Sequence, residues 1–374
     1  MSIMAREKKL ALLRTLCQTF GPSGCEDRVA QVIKDNIFGL YDELVPDRMG
    51  GVIAVIRSRR ESSSNAKIAP KRLMLSCHMD EVGFMIREIT DEGYLKVASM
   101  CGRDTRIMAS RKVTVCNEHG EPVRGVFALR PIHLVKREDD DKALDIDELY
   151  IDIGARDKAE AQRHVNIGDF ATFESDFVVF GENDGKIKAK ALDDRIGCMI
   201  LCDVMEQVWE KRDSLPFDVF FAFTCREALG ISGAGTAAHL IDPDFAIVFE
   251  ATAVADLDGV PDSGRVAAQG NGPAISLMDR STVYDREFTN YIIDTCKNEE
   301  IPYQIKQLVS GGNDAGHIHK SRAGVRCAAV SAPARYIHTP SSVVDVEDID
   351  NMERLRKAVI ERLSSDLGGD SKNA

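Results

Sequence analysis

Six side chains in this sequence can hold a divalent cation or move a proton, and they recur at similar places: His78, Asp80, Asp193, Glu227, Glu250 and His338. His78 follows the apolar run 73–77 (LMLSC), and Glu227 follows 217–224 (FDVFFAFT). Glu250 closes 245–250 (FAIVFE), and His338 lies just past the run 325–330. Asp193 stands where an apolar-small stretch hands over to a helical pattern (Ile196, Met199, Ile200, Val204, Val208). In open α/β sheets, ligands bind at the carboxyl ends of strands, so groups at such positions converge. Two imidazoles and several carboxylates form an N/O donor set that suits Zn²⁺, Co²⁺ or Mn²⁺. A carboxylate at Asp193 has two acceptor oxygens and can bridge two cations, roughly 3.5–4 Å apart as in two-metal hydrolases. His78 and Asp80 alternate along the chain and face one side, which suits an imidazole oriented by a neighbouring carboxylate.

Each feature taken singly has a plainer reading. Asp193 or Asp194 can simply cap the helix N-terminus, and His78 can sit in a hydrogen-bonded turn. Five groups with consistent placement favour the site. Other chemistries lack their patterns: there is no G-x-S-x-G elbow, no Walker loop, and GGNDAG (311–316) lacks dinucleotide spacing. Cys225 has no adjacent His to activate it and reads as a buried thiol.

The elements that must position these groups are α/β in texture. At 374 residues the chain is long for one core, so two domains are expected. Helical patterns cover 10–20 and 26–38, with GPSG (21–24) ending the first. Residues 52–56, 73–77, 217–224, 245–250, 302–309 and 325–330 read as strands, and 284–300 and 346–363 as helices. From about Ile89 to Val178 the texture changes to short alternating strands (111–116, 123–129, 149–153, 170–173) joined by turns and a charged loop at 136–147. That stretch is an inserted all-β domain, a small barrel or sandwich, whose His119, His133 and His164 lack metal spacing. The expected division is a catalytic α/β domain of 1–88 with 179–374, and an insertion of 89–178. Residues 58–71 read as a surface loop and 368–374 as a disordered tail.

Composition narrows the partners. The formal charge of −12 argues against nucleic-acid binding. No apolar run reaches the ~18 residues needed to cross a membrane, and residues 1–14 carry no signal-peptide pattern. Ten scattered cysteines without a C-x-x-C pair read as reduced thiols of a cytoplasmic protein.

The motifs GPSG (21–24), CHMDEVGF (77–84), LYIDIGA (149–155), KALDDRIGC (190–198), GGNDAG (311–316) and RYIHTP (335–340) run in order over nearly the whole chain. In them the sequence resembles the tetrahedral (TET-type) co-catalytic metallo-aminopeptidases, the glutamyl and leucyl aminopeptidases often labelled endoglucanase M or cellulase M. The resemblance implies a zinc-exopeptidase-like α/β domain with an inserted β-barrel that mediates dimerisation, and homo-oligomers up to a dodecamer. It implies two divalent metals per subunit, zinc or cobalt, and peptide substrates cut at the N-terminal residue. Carried over, His78 ligates the first metal with Asp80 orienting it, and Asp193 bridges. Glu250 stands where the family usually has an acidic first-metal ligand, and His338 ligates the second metal. Glu227 is the general base. The endoglucanase label fits poorly, because glycosidases use paired carboxylates without metals and this chain has one Trp, Trp209.

One position departs. The family reads Glu-Glu where this chain has Glu227-Ala228, so the second metal would keep only Asp193 and His338, one short of the usual three protein ligands of catalytic zinc. A one-residue slip would instead make Glu227 the ligand and leave no base. Glu81 or Asp314 are substitute ligands to consider. The alternatives carried forward are a one-metal amidohydrolase or deacylase of the same clan, and an oligomeric paralogue with impaired catalysis.

Overall fold

The computed structural model of the chain describes residues 6–60, 69–102, 104–117, 119–129 and 145–368. His133, most of the charged loop at 136–147, part of the loop at 58–71 and the tail beyond 368 lie outside the described residues.

Two helices, α1 (Arg6–Gln18) and α2 (Asp27–Asn36), precede β1 (Glu43–Pro46), β2 (Val52–Ile56) and β3 (Lys71–His78). The next strands are β4 (Phe84–Ile89), β5 (Leu95–Ser99), β6 (Lys112–Cys116), β7 (Pro122–Phe127) and β8 (Tyr150–Asp152), then a short helix α3 (Lys158–Ala161) and β9 (Phe170–Phe173). The chain continues through β10 (Val178–Phe180), β11 (Lys186–Ala189), α4 (Leu192–Lys211), β12 (Phe217–Thr224), α5 (Ser232–Ile241) and β13 (Phe245–Ala253). It closes with β14 (Ala274–Ile275), α6 (Arg286–Asn298), β15 (Gln304–Ile305), α7 (Ala315–Ile318), β16 (Arg326–Arg335), β17 (Ser342–Asp345) and α8 (Val346–Gly368).

Among the described residues these strands form one eleven-stranded mixed sheet and one closed barrel. The sheet runs β1-β2-β12-β3-β13-β16-β17-β11-β10, with β14 and β15 attached beside β16. Its centre is four parallel neighbours, β12, β3, β13 and β16, whose carboxyl ends share one edge. All eight residues of β12 are buried, as a parallel strand covered on both faces requires. Apolar faces of α1, α2, α4, α6 and α8 cover one side of the sheet, and small residues of α5 and α7 (Ala234, Ala237, Ala238, Ala315) cover the other.

The barrel closes in the order β4-β5-β8-β7-β6-β9, which leaves no open strand edge. Phe84 anchors its core, edge-on to Phe127 at 5.0 Å and to Phe173 at 5.3 Å. β4 lies before residue 89, the sequence-derived start of the insertion. Its alternation is interrupted (Phe84, Ile86, Ile89 buried; Arg87 and Glu88 both exposed), so the sequence pattern does not mark it as a strand. The crossing from sheet to barrel is at Gly83, where a Cβ would lie 2.4 Å from Pro22 Cβ and 2.9 Å from the Ala171 carbonyl oxygen. No side chain fits there.

Two strands differ in length from their sequence pattern. The run 302–309 pairs only over Gln304–Ile305, because β14 offers it two residues. β16 continues past residue 330 to Arg335, and pairs with β13 through Pro333 and Ala334. No disulfide joins cysteines among the described residues. No helix among the described residues is long and apolar enough to cross a membrane.

Candidate metal centre

The four parallel strands bring the sequence-derived groups to one edge. His78 ends β3, in register with Thr224 at the end of β12, and Glu227 follows three residues later. Glu250 lies within β13 on the other side of β3. His338 sits in the turn between β16 and β17, and Asp193 at the start of α4. The backbone is bent to present them. Ala191, Arg226 and His338 all hold left-handed conformations (φ 55°, 56° and 61°), which non-glycine residues rarely adopt and which cluster at functional sites.

Asp193 is the hub. Its Oδ1 lies 3.2 Å from His78 Nε2, and its Oδ2 lies 3.0 Å from His338 Nε2. His78 Nε2 is also 3.4 Å from Glu250 Oε1. Asp194 is spent differently, as its Oδ1 accepts from the Gly197 backbone N–H at 3.0 Å and its Oδ2 from the His78 N–H at 3.3 Å. The two readings of the Asp-Asp pair are therefore divided between its members: Asp194 caps the helix and ties it to β3, and Asp193 faces the imidazoles. His78, Asp194 and Glu250 also offer ligand atoms within 4.8 Å of one another. Because both Asp194 oxygens already accept backbone N–H groups, Asp193 is the better third donor.

Asp80 is fully buried and does more than accompany His78. The His78 Nδ1 is 3.1 Å from the Asp80 backbone carbonyl and 3.5 Å from its carboxylate. The carboxylate itself accepts from the backbone N–H groups of Glu227 (2.9 Å) and Ala228 (3.0 Å), and from the Ser23 hydroxyl. Ser23 belongs to GPSG, which in the sequence showed only as a helix stop. Glu26 likewise accepts the Gly24 N–H at 2.8 Å and the Arg226 N–H at 3.0 Å. Nothing in the sequence spacing pointed to the Asp80–Glu227 or Glu26–Arg226 contacts, which join residues 147 and 200 positions apart.

The titrations report a crowded, anionic centre. Burial, together with Glu250 and Asp193, pushes apart the preferences of its members. Burial raises the Glu250 carboxyl well above the usual range, with Asp193 and Glu227 adding to it. Burial likewise pushes Glu227 up to about 8. Asp193 moves the other way: although burial opposes it, hydrogen bonds from His338 and His78 hold its carboxyl well below the usual range. His78 is raised against burial, chiefly by Glu250, and His338 is raised by Asp193. Carboxylates at 3.0–3.4 Å from the buried His78 and the more exposed His338, with surplus negative charge, fit a divalent cation bound by N and O donors.

The substitute ligands fare unequally. Glu81 is committed to Lys190, whose Nζ lies 2.5 and 2.6 Å from its two oxygens, and it accepts from Thr172 of the barrel at 2.9 Å. It is a structural anion. Asp314 is buried with its Oδ2 2.5 Å from the Thr224 hydroxyl, while its Oδ1 has no hydrogen-bond partner. His119 and His164 lie in the barrel segment, far along the chain from these groups, with His119 exposed and His164 in the turn after α3.

Comparison with known proteins identifies the family. Residues 50–355 match the family model described as M42 glutamyl aminopeptidase. A putative aminopeptidase of Acetivibrio thermocellus is 33% identical over 353 residues, spanning 94% of this chain and 98% of that protein. The TET aminopeptidase of a marine sediment Thaumarchaeota archaeon superposes with a TM-score of 0.89 at 31% identity, covering 97% of this chain and 98% of that one. The TET1 peptidase of Pyrococcus horikoshii, described as assembling into a tetrahedron or a large octahedral shell, gives 0.81 at 29% identity, covering 94% and 99%.

Proposed function

The chain belongs to the M42 glutamyl aminopeptidase family and is a metal-dependent aminopeptidase, and on that premise we propose how its own residues share the work. His78, Asp193 and Glu250 hold one divalent cation, zinc or cobalt, and His338 with Asp193 faces a second position. The observation that carries this reading is the single Asp193 carboxylate, with one oxygen on each imidazole. When bound, the cation supplies Lewis-acid activation of the attacking water and of the scissile carbonyl.

The remaining steps belong to protein groups. Glu227 accepts the proton of the attacking water and passes it to the departing amine, a general-base then general-acid role. Asp80 fixes the Glu227 backbone relative to His78, so the base is held against the strand end that carries the ligand. The free α-ammonium of the substrate is drawn to the carboxylate-rich side formed by Glu227 and Glu250. That attraction selects for an unblocked N-terminus. The direct test is metal content and turnover of wild type and Glu227→Gln side by side.

A second reading has one observation in its favour. Ala228 carries no donor, and among the described residues no third His, Cys, Asp or Glu joins His338 and Asp193 in a ligand group. The second position then binds metal more weakly than the first, and the extreme form is a one-metal amidohydrolase of the same clan acting on acylated amino acids. Metal stoichiometry and a comparison of free with N-acylated substrates separate the two.

We also propose that the eleven-stranded sheet and its helices work as the catalytic unit, that the barrel segment (β4 to β9) mediates dimerisation, and that the dimers build a larger homo-oligomer in the cytoplasm. The tetrahedral and octahedral assemblies described for the Pyrococcus horikoshii relative support this reading. Light scattering of the purified protein tests it; a stable monomer rules it out.

A further inference from the structure

On the barrel side of His338 lies a cavity of about 240 Å³, bounded by both domains. The larger part of its wall is apolar, with Val82, Phe84, Ile107, Met108 and Phe173 from the barrel and its approach and Ile337 from the turn that carries His338, while Ser99, Asp104 and Thr339 add polar groups. It shares Val82, Phe173, His338 and Thr339 with a narrower cleft that holds Asp193, so it opens directly beside the bridging carboxylate. The one carboxylate on its wall, Asp104, is already neutralised. Arg106 donates to it through Nε at 2.8 Å and Nη2 at 2.7 Å, and its own turn donates a backbone N–H at 3.2 Å.

This lining decides which part of a peptide can enter. An α-ammonium has no free anion to meet there, and burying it against apolar walls is costly. The carboxylates of Glu227 and Glu250 are instead grouped near His78 at the strand ends, with Glu250 Oε1 3.4 Å from His78 Nε2. A peptide whose ammonium lies among those carboxylates and whose scissile carbonyl lies at Asp193 must continue past His338 toward the barrel. Resting on the aminopeptidase reading above, we propose that this cavity is the subsite for the side chain that follows the cleaved bond, and that it selects peptides with an apolar second residue of leucine to phenylalanine size. The barrel thereby contributes to specificity: Ile107 and Met108 sit on or beside a single helical turn (Thr105–Ile107) that forms the outer wall.

The test uses the full-length, metal-loaded enzyme and tripeptides Leu-X-Gly with X as Leu, Phe, Lys or Glu. Leucinamide, which has no side chain after the bond, serves as the reference. The expected result is a kcat/KM for X as Leu or Phe about tenfold or more above that for Lys or Glu, expressed in KM, since one apolar side chain in a fitted pocket discriminates by roughly that factor. Ile107→Lys, at a half-buried turn position outside the barrel core, is expected to lower the ratio of Leu-Leu-Gly to leucinamide turnover about tenfold and to raise relative turnover of Leu-Glu-Gly. A flat profile across X in the wild type overturns the proposal, as does a ratio unmoved by Ile107→Lys; if that variant does not fold, the wild-type series decides alone. Failure of the wild type to hydrolyse leucinamide at all is a different outcome, which excludes leucine as the first residue; the series is then repeated with a first residue whose amide is cleaved, and a flat profile there overturns the subsite.

Discussion

The Asp80 carboxylate accepts the backbone N–H of Glu227 at 2.9 Å, and so binds the end of β3 to the loop that follows β12. His78 and Glu227 come from strands whose pairing fixes register up to Thr224, and this contact extends the register by three residues into the loop. The second oxygen accepts from Ala228 and Ser23. Every acceptor on a fully buried carboxylate is thus spent on holding the base in place.

Asp80→Asn preserves shape but leaves one acceptor where two are needed, and turns an amide N–H toward a backbone N–H. Displacement of a catalytic group by about 1 Å costs on the order of 10²-fold in rate. We expect kcat to fall by about that factor, with KM and bound metal changing far less. Steady-state kinetics and elemental analysis of the same preparation check this, and a loss carried by KM would argue against a positioning role.

Lys190→Met tests the join between sheet and barrel. Lys190 and Glu81 are both buried, and Glu81 also receives Thr172 of β9. Removing the ammonium takes the nearer of two cations from a buried carboxylate and leaves Arg195 at 3.7 Å, so the cost falls below the about 3–5 kcal/mol of a fully broken buried pair. Urea unfolding should show a loss of about 1–3 kcal/mol; a loss near zero would mean that Arg195 alone holds Glu81.

Glu26→Gln tests a titration outside the ligand set. Burial, reinforced by the charge of Asp80, pushes the Glu26 carboxyl up to about 7, against 4.5 when unperturbed. A raised acid favours the folded state fully below pH 4.5, and that contribution is lost as pH rises toward 7. Gln keeps the Oε1 that accepts both Gly24 and Arg226. In metal-free protein the variant should match wild type near pH 5 and exceed it at pH 8, by on the order of 2 kcal/mol. Parallel stability curves at the two pH values would contradict this.

Ala228→Glu restores a carboxylate beside the Asp193–His338 corner. Wild type is expected to keep about one metal per chain after extensive dialysis, and the variant closer to two, because a catalytic zinc site normally has three protein ligands. Mass spectrometry of metal content gives the reading. Two tightly held metals in the wild type would mean that another group, such as Asp314, completes the second position.

The convergence of His78, Asp193, Glu250 and His338, and the sheet that carries them, were legible in the sequence because both rest on local pattern, chiefly apolar runs of strand length followed by a His or a carboxylate. The Asp193/Asp194 pair was legible as a pair but not in its division of labour, which depends on how β3 packs against α4 and on the His78 N–H that Asp194 accepts. Contacts between distant segments left no local trace. The Ser23–Asp80–Glu227 chain joins three parts of the sequence, and Lys190 reads as a surface lysine until Glu81 is seen beside it. β4 was hidden for a related reason, as Arg87 and Glu88 interrupt its alternation on the outer face of the barrel.

The measurement that bears most directly on the whole account is metal content and turnover of wild type and Glu227→Gln in parallel, on leucinamide, Leu-Leu-Gly and N-acetyl-Leu-Leu-Gly. The account predicts equal metal in both proteins, release of free leucine by wild type from the unblocked substrates only, and a loss of at least about 10³-fold in Glu227→Gln, within the range for removing a general base. Retained turnover in Glu227→Gln, or faster hydrolysis of the N-acetylated peptide, would contradict it.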